Sequence, residues 1–442
     1  MSTKAVMLHR SKIVLATLGT SGDVHPFIGI ARHLRDRGHD PVLATPAVYR
    51  PKIEAEGLGF HAMRPDEPDQ FRDLGINGAG VSRELMRGGK HGLEFVMRRL
   101  ILPYLRQSLD DLLAASEGAS LVIMSSFAYA ARLAADIRRI PALHVALQPV
   151  MLMSAYDPPA PLHMGWLRSL SPGLARALAA GALRSMDRQI AAWAEPIHRL
   201  RRDSGLAPVK HNPLLRGQCP PYGTIGLFSP VLGGVHPDSP ANTSIVGFVP
   251  YDSEVGGAAR LGSELERFLA AGDPPLVFTL GSQAVLSPGE FFAQSLEAAR
   301  LLGRRAVLLV GRNNPGQTSS PSPDVLVQPY APYSLLFSTA AAIVHHGGIG
   351  TIGHALKSGR PQLVVPFWGD QHDNAARVTR LGVARMLSRS RYTAERVARE
   401  LSALLSDRYV QKASQTGSKV AEENGAAAVC DIIASQLQRQ AA

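Results

Sequence analysis

Short apolar runs that end in glycine and lead into an amphipathic helix recur along this chain, and they leave few folds open. "KIVLAT" (Lys12–Thr17) runs into "LGTSGDVHP", and from Pro26 onward Phe27, Ile30, Ala31 and Leu34 fall at helical spacing. Pro26 suits the first turn of a helix, and Gly38 suits its stop. "PVLAT" (Pro41–Thr45) is the next strand. Strand, helix and strand in that order make one unit of a parallel sheet. The plan returns in the second half. "LVFTL" (Leu276–Leu280) stops at Gly281 and Ser282, and a helix is expected near Gly289–Leu302. "AVLLV" (Ala306–Val310), "DVLVQ" (Asp324–Gln328), "AAIV" (Ala341–Val344) and "QLVVP" (Gln362–Pro366) are further strands. The expected class is α/β, with two doubly wound halves.

The chain has 442 residues, too many for one ordinary core. The polar, glycine-rich stretch Val249–Gly262 is where the halves are expected to meet, dividing the chain into residues 1–250 and 251–442. "NNPGQTSSPSPD" (Asn313–Asp324) reads as a surface loop. Cys219 and Cys430 are the only cysteines, which excludes a disulfide framework and a cysteine zinc site and suits a reducing compartment. The opening residues lead into a strand and do not read as a signal peptide. No apolar run reaches the roughly 20 residues of a spanning helix. A cytoplasmic protein, soluble or peripheral on a membrane, is expected.

The formal charge of +11 admits nucleic acid, anionic lipid or phosphorylated substrates as partners, or simply a soluble basic surface. Nucleic acid is disfavoured, because the sequence holds no aromatic-basic platform and no zinc-finger spacing. From Gly80 to Arg106 the chain sets Arg83, Arg87, Lys90, Arg98, Arg99 and Arg106 among Leu93, Phe95, Val96, Met97, Leu100 and Ile101. Such a stretch can dock on an anionic membrane. It can equally pack its apolar residues inward and leave the arginines solvated.

In an open α/β sheet, ligands bind beyond the carboxyl ends of the strands. "HHGGIGT" stands there after Val344. Its glycines allow close approach to the backbone, and a helix expected from about Thr351 would aim free N–H groups at a phosphate or diphosphate. His346 and the Thr351 hydroxyl add donors. The bland alternative is a tight turn with a surface histidine. "PFWGDQHDN" follows the next strand and brings Asp370 and Gln371 to the same edge. A carboxylate beside an amide offers acceptors and donors to vicinal hydroxyls, as on a sugar. Asp370 also suits a helix N-cap.

Together, "HHGGIGT", the proline, "DQ" and the asparagine after it resemble the nucleotide-sugar signature of inverting glycosyltransferases of the GT-B fold, which have two Rossmann-like domains facing a cleft. "GTSGDVHPFIGIARHLRDRGH" resembles the first loop and helix of the same family, which includes plant, antibiotic, sterol and rhamnolipid glycosyltransferases. The resemblance implies an N-terminal acceptor domain and a C-terminal domain for a nucleotide-diphosphosugar, with the last helix packed back on the first domain. It puts His346, Gly347, Gly348, Gly350 and Thr351 on the diphosphate, with Gly281 and Ser282 opposite. Asp370 and Gln371 would hold the sugar, and Tyr330 of "VQPYAPYSLL" would stack on the base. Asp23 stands where relatives place a histidine or aspartate base, and His25 is its rival. An N-cap role for Asp23 is the structural alternative.

No metal and no cofactor are implied, since the helix N-terminus and His346 would meet the diphosphate charge. UDP-dependent relatives often carry a glutamate where this chain has His354, which leaves room for a dTDP-sugar. The apolar "VALQPVMLMSAY" (Val145–Tyr156) and the Gly80–Arg106 stretch suggest a greasy acceptor: a hydroxy fatty acid, sterol, carotenoid or polyketide. The overall look is closest to rhamnosyltransferases of rhamnolipid synthesis, with sterol and carotenoid glucosyltransferases second. Rhamnose or glucose would be the hexose transferred. A sugar-nucleotide epimerase and a silent auxiliary subunit are the rival classes.

Overall fold

A computed structural model describes residues 10–160, 170–253, 257–312, 320 and 322–441. Two parallel sheets organise it. The first runs β1 (Lys12–Ala16), β2 (Asp40–Thr45), β3 (Gly59–Ala62), β4 (Leu121–Ser125), β5 (Ala142–Ala146), β6 (Thr224–Gly226) and β7 (Thr243–Ile245). Its spatial order is β3-β2-β1-β4-β5-β6-β7. The second is built from β8 (Leu276–Thr279), β9 (Ala306–Leu309), β10 (Val325–Gln328), β11 (Ala342–His345), β12 (Gln362–Val364) and β13 (Ala384–Met386), ordered β10-β9-β8-β11-β12-β13. Every pairing is parallel. Helices cover both faces, so β4, β5, β8, β9 and β11 are buried throughout and read as continuous apolar runs.

Each sheet reverses its winding between its first and fourth strands: β1 beside β4, and β8 beside β11. A crevice opens at such a switch point. The strands expected from sequence form, and the sheets add β3, β4, β5, β6, β7 and β13.

Helix starts differ from expectation. Helix α1 spans Ser21–Asp36, so Pro26 lies inside it and not at its first turn. Thr20 and Asp23 close the new N-terminus with reciprocal bonds, and this offsets the N–H that Pro26 lacks. The helix after "HHGG" spans Ile349–Lys357 and begins before Thr351. Asn313–Asp324 falls largely outside the described residues.

The Gly80–Arg106 stretch folds as helices Gly78–Met86 and Gly89–Phe95 and a π-helical segment Val96–Ile101. Met97, Ile101 and Leu102 enter the core of the first half, and Leu93, Val96 and Leu100 pack against it. The six basic residues are exposed. Arg87 pairs with Glu84 and Arg98 with Glu94. Of the two expectations for this stretch, inward packing describes Leu93, Val96, Met97, Leu100 and Ile101, which turn to the core and the cavity rather than outward. No helix among the described residues is long and apolar enough to cross a membrane.

The final helix, Gly425–Ala441, lies on α1. Ala426, Val429, Cys430 and Ile433 share one core with Val24, Phe27 and Ile30, and Arg37 pairs with Asp431 at 2.6 Å.

Candidate active site

A cavity of about 1160 Å³ lies between the two sheets and takes in both crevices. Its second-half wall starts with strand neighbours. β8 delivers Gly281 and β11 delivers His346, and the Gly281 N–H donates to His346 Nδ1 at 3.1 Å. A backbone amide only donates, so Nδ1 accepts and the ring proton sits on Nε2. Burial, with His345 beside it, pushes the His346 pKa down to about 3, so the ring is neutral. A Cβ on Gly281 would come within 2.3 Å of Nε2, and one on Gly348 within 2.4 Å. Glycine at both positions is what lets the imidazole stand there.

Gly348 caps the Ile349–Lys357 helix, whose first N–H groups have no partner inside the helix. Gly348, Gly350 and Thr351 line the cavity together with Ser282 and His346. Gly347 is absent from the lining and shapes the turn, with φ at +91°. Its N–H donates to His345 Nδ1 at 3.1 Å, and the other ring nitrogen of His345 meets Gln362 Oε1 at 3.0 Å. His345 is thus a wholly buried structural partner of the turn.

Asp370 and Gln371 reach the same cavity and divide the labour. Gln371 Oε1 accepts the N–H groups of Phe367 and Trp368 at 2.8 and 3.1 Å, so only its NH₂ group is left for a ligand. Asp370 occupies the cap position of the helix Gln371–Arg380, but its side chain makes no capping bond. Its Oδ2 accepts from Asn374 Nδ2 at 2.7 Å, and that amide also donates to the Gly347 carbonyl at 3.1 Å. Asn374 therefore ties the glycine turn to the carboxylate. Burial pushes the Asp370 pKa up to about 7, against the Asn374 bond, and the charge of Asp23 pushes the same way.

Tyr330 is half-buried at the cavity, and its hydroxyl donates to the Asp252 carbonyl. Tyr333 also lines the cavity; its hydroxyl bonds Thr279 at 2.8 Å and its ring stands edge-on to His354 at 5.9 Å. Sequence reasoning passed over Tyr333 and Thr279, and took the asparagine at 374 as part of the signature without giving it a role. "YAPY" offered two tyrosines, and only the packing tells which faces what. Burial pushes the His354 pKa down, against the pull of Asp252.

Asp23 stands on the opposite wall. It is not the N-cap of α1. It is the third helical residue, and its Oδ2 accepts the Thr20 N–H at 2.8 Å and the Thr20 hydroxyl at 3.2 Å. Gly19, with φ at +133°, makes room, since a Cβ there would come within 2.3 Å of Oδ2. Burial raises the Asp23 pKa from 3.8 to about 6, against those bonds. Some solvent reaches the carboxylate through the cavity, but its depth among protein atoms governs the shift.

His25 is corrected as a rival base. Its Nε2 faces Lys52 Nζ at 3.0 Å, and burial followed by the Lys52 charge pushes its pKa down to about 3. The ammonium occupies the lone pair that a base needs. Much of the rest of this wall is apolar: Leu93, Val96, Met97, Phe127, Met151 and Leu183 among others. Leu147, Val150, Met151 and Met153 from "VALQPVMLMSAY" belong to it.

Residues 13–113 match the glycosyltransferase family 28 N-terminal domain, and residues 296–439 match the erythromycin biosynthesis protein CIII-like C-terminal domain. O-mycaminosyltylonolide 6-deoxyallosyltransferase of Streptomyces fradiae is 32% identical over 448 residues, covering 96% of each chain. A sterol 3-beta-glucosyltransferase of Neosartorya fischeri is 26% identical over 450 residues, covering 97% of this chain and 30% of that one. The calicheamicin glycosyltransferase CalG4 superposes with a TM-score of 0.68 at 18% identity, covering 98% of this chain and 100% of that one. The spinosyn rhamnosyltransferase SpnG complexed with thymidine diphosphate superposes with a TM-score of 0.64 at 16% identity, covering 96% and 99%. Those structures share the two-sheet fold, and the Streptomyces fradiae relative shares the sequence over almost its whole length, which makes this chain a glycosyltransferase of the GT-B family.

Proposed function

We propose that this enzyme moves a hexose or deoxyhexose from a dTDP-sugar to a hydroxyl of a bulky hydrophobic alcohol and inverts the anomeric centre. The observation that carries this is the pairing across one cavity. A carboxylate with a raised pKa, Asp23, faces a glycine-rich helix N-terminus and the Nε2–H of His346. Asp23 takes the acceptor's proton while its oxygen attacks the anomeric carbon. The departing diphosphate collects N–H groups at the start of the Ile349–Lys357 helix, the Thr351 hydroxyl and the His346 Nε2–H. These donors take the negative charge, so no metal or cofactor is called for. Asp370 accepts from sugar hydroxyls, and the Gln371 NH₂ group donates to them. Tyr330 borders the base.

His354, in place of a carboxylate, and a neighbour complexed with thymidine diphosphate favour dTDP over UDP. The names of the relatives favour an antibiotic-like or sterol-like acceptor over a hydroxy fatty acid of the rhamnolipid type. Contact with an anionic membrane rests only on the exposed basic residues between Gly80 and Arg106.

The test is incubation with dTDP- and UDP-sugars and a panel of macrolide aglycones, sterols and hydroxy fatty acids, read by mass spectrometry, with the anomeric configuration taken from NMR. Conversion of the sugar-nucleotide without any acceptor would mean an epimerase. A retained configuration would remove the direct attack.

A further inference from the structure

The switch point of the second sheet couples Gly281 to His346. The switch point of the first sheet holds a comparable pair that the transfer chemistry leaves unused. Ser126 follows β4, next to the turn that leads from β1 into α1 and Asp23; the Leu18 N–H meets Ser125 Oγ across the two strand ends. Ser126 lines the cavity. Its Oγ lies 3.1 Å from Nε2 of His144, a residue of β5 that is 1% exposed. The other ring nitrogen of His144 faces Cys219 Sγ at 3.7 Å. Every residue of β5 is buried, so an apolar side chain would pack at position 144 without needing a partner. Of its two contacts, only Ser126 opens on the cavity wall.

We infer that the Ser126 hydroxyl, oriented by His144, is a subsite for a second oxygen function of the acceptor, distinct from the hydroxyl that is glycosylated. This rests on the proposed acceptor side of the cavity. The acceptor is then an oxygenated hydrophobic alcohol, not a simple mono-ol. Burial keeps His144 neutral, so one ring nitrogen donates and the other accepts. With the Cys219 thiol donating to Nδ1, the ring proton stands on Nε2, toward Ser126 Oγ. The serine's own proton is then free to point into the cavity. Ser126 thus presents one oriented donor in a wall that is otherwise mostly apolar. Among acceptors of equal bulk, a site built to bond one oxygen discriminates against those that lack it. His144 is a positioning residue and does not touch the ligand.

The test uses the full chain saturated with thymidine diphosphate. Affinity is measured by calorimetry for 5α-androstan-3β-ol and for derivatives carrying one further hydroxyl or ketone at graded distances from the 3-hydroxyl. Wild type is expected to bind at least one oxygenated derivative about tenfold more tightly than the mono-ol. Ser126→Ala should bring that ratio close to one, and Ser126→Thr should restore most of it. His144→Phe should lower the ratio without changing the affinity for thymidine diphosphate. Equal affinities across the panel in wild type, or an undiminished ratio in Ser126→Ala, would overturn the subsite alone. Failure of every steroid to bind while thymidine diphosphate still binds would overturn the hydrophobic-acceptor reading and the subsite with it.

Discussion

The two walls of the cavity are made in opposite ways. The second-half wall is built of backbone and short hydrogen bonds that brace two neighbouring loops: His345 to Gly347, Gly347 to Asn374, Asn374 to Asp370. Two longer-range bonds, from Gly281 to His346 and between Thr279 and Tyr333, tie it to the end of β8. The first-half wall gathers apolar side chains from the segments around Leu93, Phe127, Met151, Leu183 and Leu214, far apart in the chain. A diphosphate needs donors at fixed places, and only locally braced backbone supplies them cheaply. A greasy acceptor needs shape, which packing of any origin provides. The donor wall should therefore respond sharply to single-atom changes, and the acceptor wall more gradually.

Asp23 brings a carboxylate to the largely apolar first-half wall, and its loss should be the largest effect. Asp23→Asn should lower kcat about 10²- to 10⁴-fold while thymidine diphosphate affinity is kept. In wild type, kcat/KM should rise with pH through about 6, as the carboxylate ionises. Stability runs the other way. The folded pKa is raised from 3.8, so the protonated form is favoured in the fold, and this contribution is lost as pH rises through about 6. Asp23→Asn should therefore melt no lower than wild type at pH 8. Activity close to wild type in the variant would remove Asp23 as the base.

The walls are joined at Arg377, which is 2% exposed. It pairs with Asp373 at 2.6 Å and with Asp157 of the acceptor side, and donates to the Leu232 carbonyl at 2.9 Å. Asp373 in turn accepts the Ala160 N–H at 2.9 Å. Arg377→Met leaves the buried Asp373 without its cation and Asp157 with only the more exposed Arg380, and should cost about 3–5 kcal/mol in denaturant unfolding. Because Asp157 and Ala160 belong to the first half, to which the proposed function assigns the acceptor, KM for the acceptor should rise more than KM for the donor. An equal rise in both would mean that the link only holds the fold.

On the donor wall, His346→Ala removes the Nε2–H donor. It should weaken thymidine diphosphate binding by about 1–3 kcal/mol, as read by calorimetry. Gly348→Ala should do the same with the histidine intact, since its Cβ would displace the ring. Unchanged affinity in Gly348→Ala would show that the donor wall yields as easily as the acceptor wall. The smallest change concerns donor choice. His354→Glu should shift the UDP-to-dTDP affinity ratio several-fold toward UDP, by offering the ribose an acceptor. A fixed ratio would show that position 354 has no part in nucleotide choice.

The legible parts were those coded within one element. Buried strands of a parallel sheet read as apolar runs, so "LVFTL" and "AAIV" were visible, and the glycines after them marked the turns. The edge strands β7 and β13 were not, because they are short and only partly buried. Helix α1 was placed too late because Pro26 reads as a start, whereas the bonds between Thr20 and Asp23 set the true one. The roles of Asp23 and His25 could not be separated by sequence, since they stand two residues apart at the start of α1. The nearby Lys52 ammonium, contributed by another segment, decides between them.

By itself, then, the sequence determined two parallel α/β halves, the glycine turn with His346, and the Asp370-Gln371 pair, because strand periodicity, glycine φ and helix starts are local properties. The tertiary structure alone decided that Gly281 orients His346, that Gln371 spends its carbonyl on its own loop, and that the Gly80–Arg106 stretch turns its apolar side inward. Each of these depends on strand order or on which surface another segment covers, and a linear pattern carries neither.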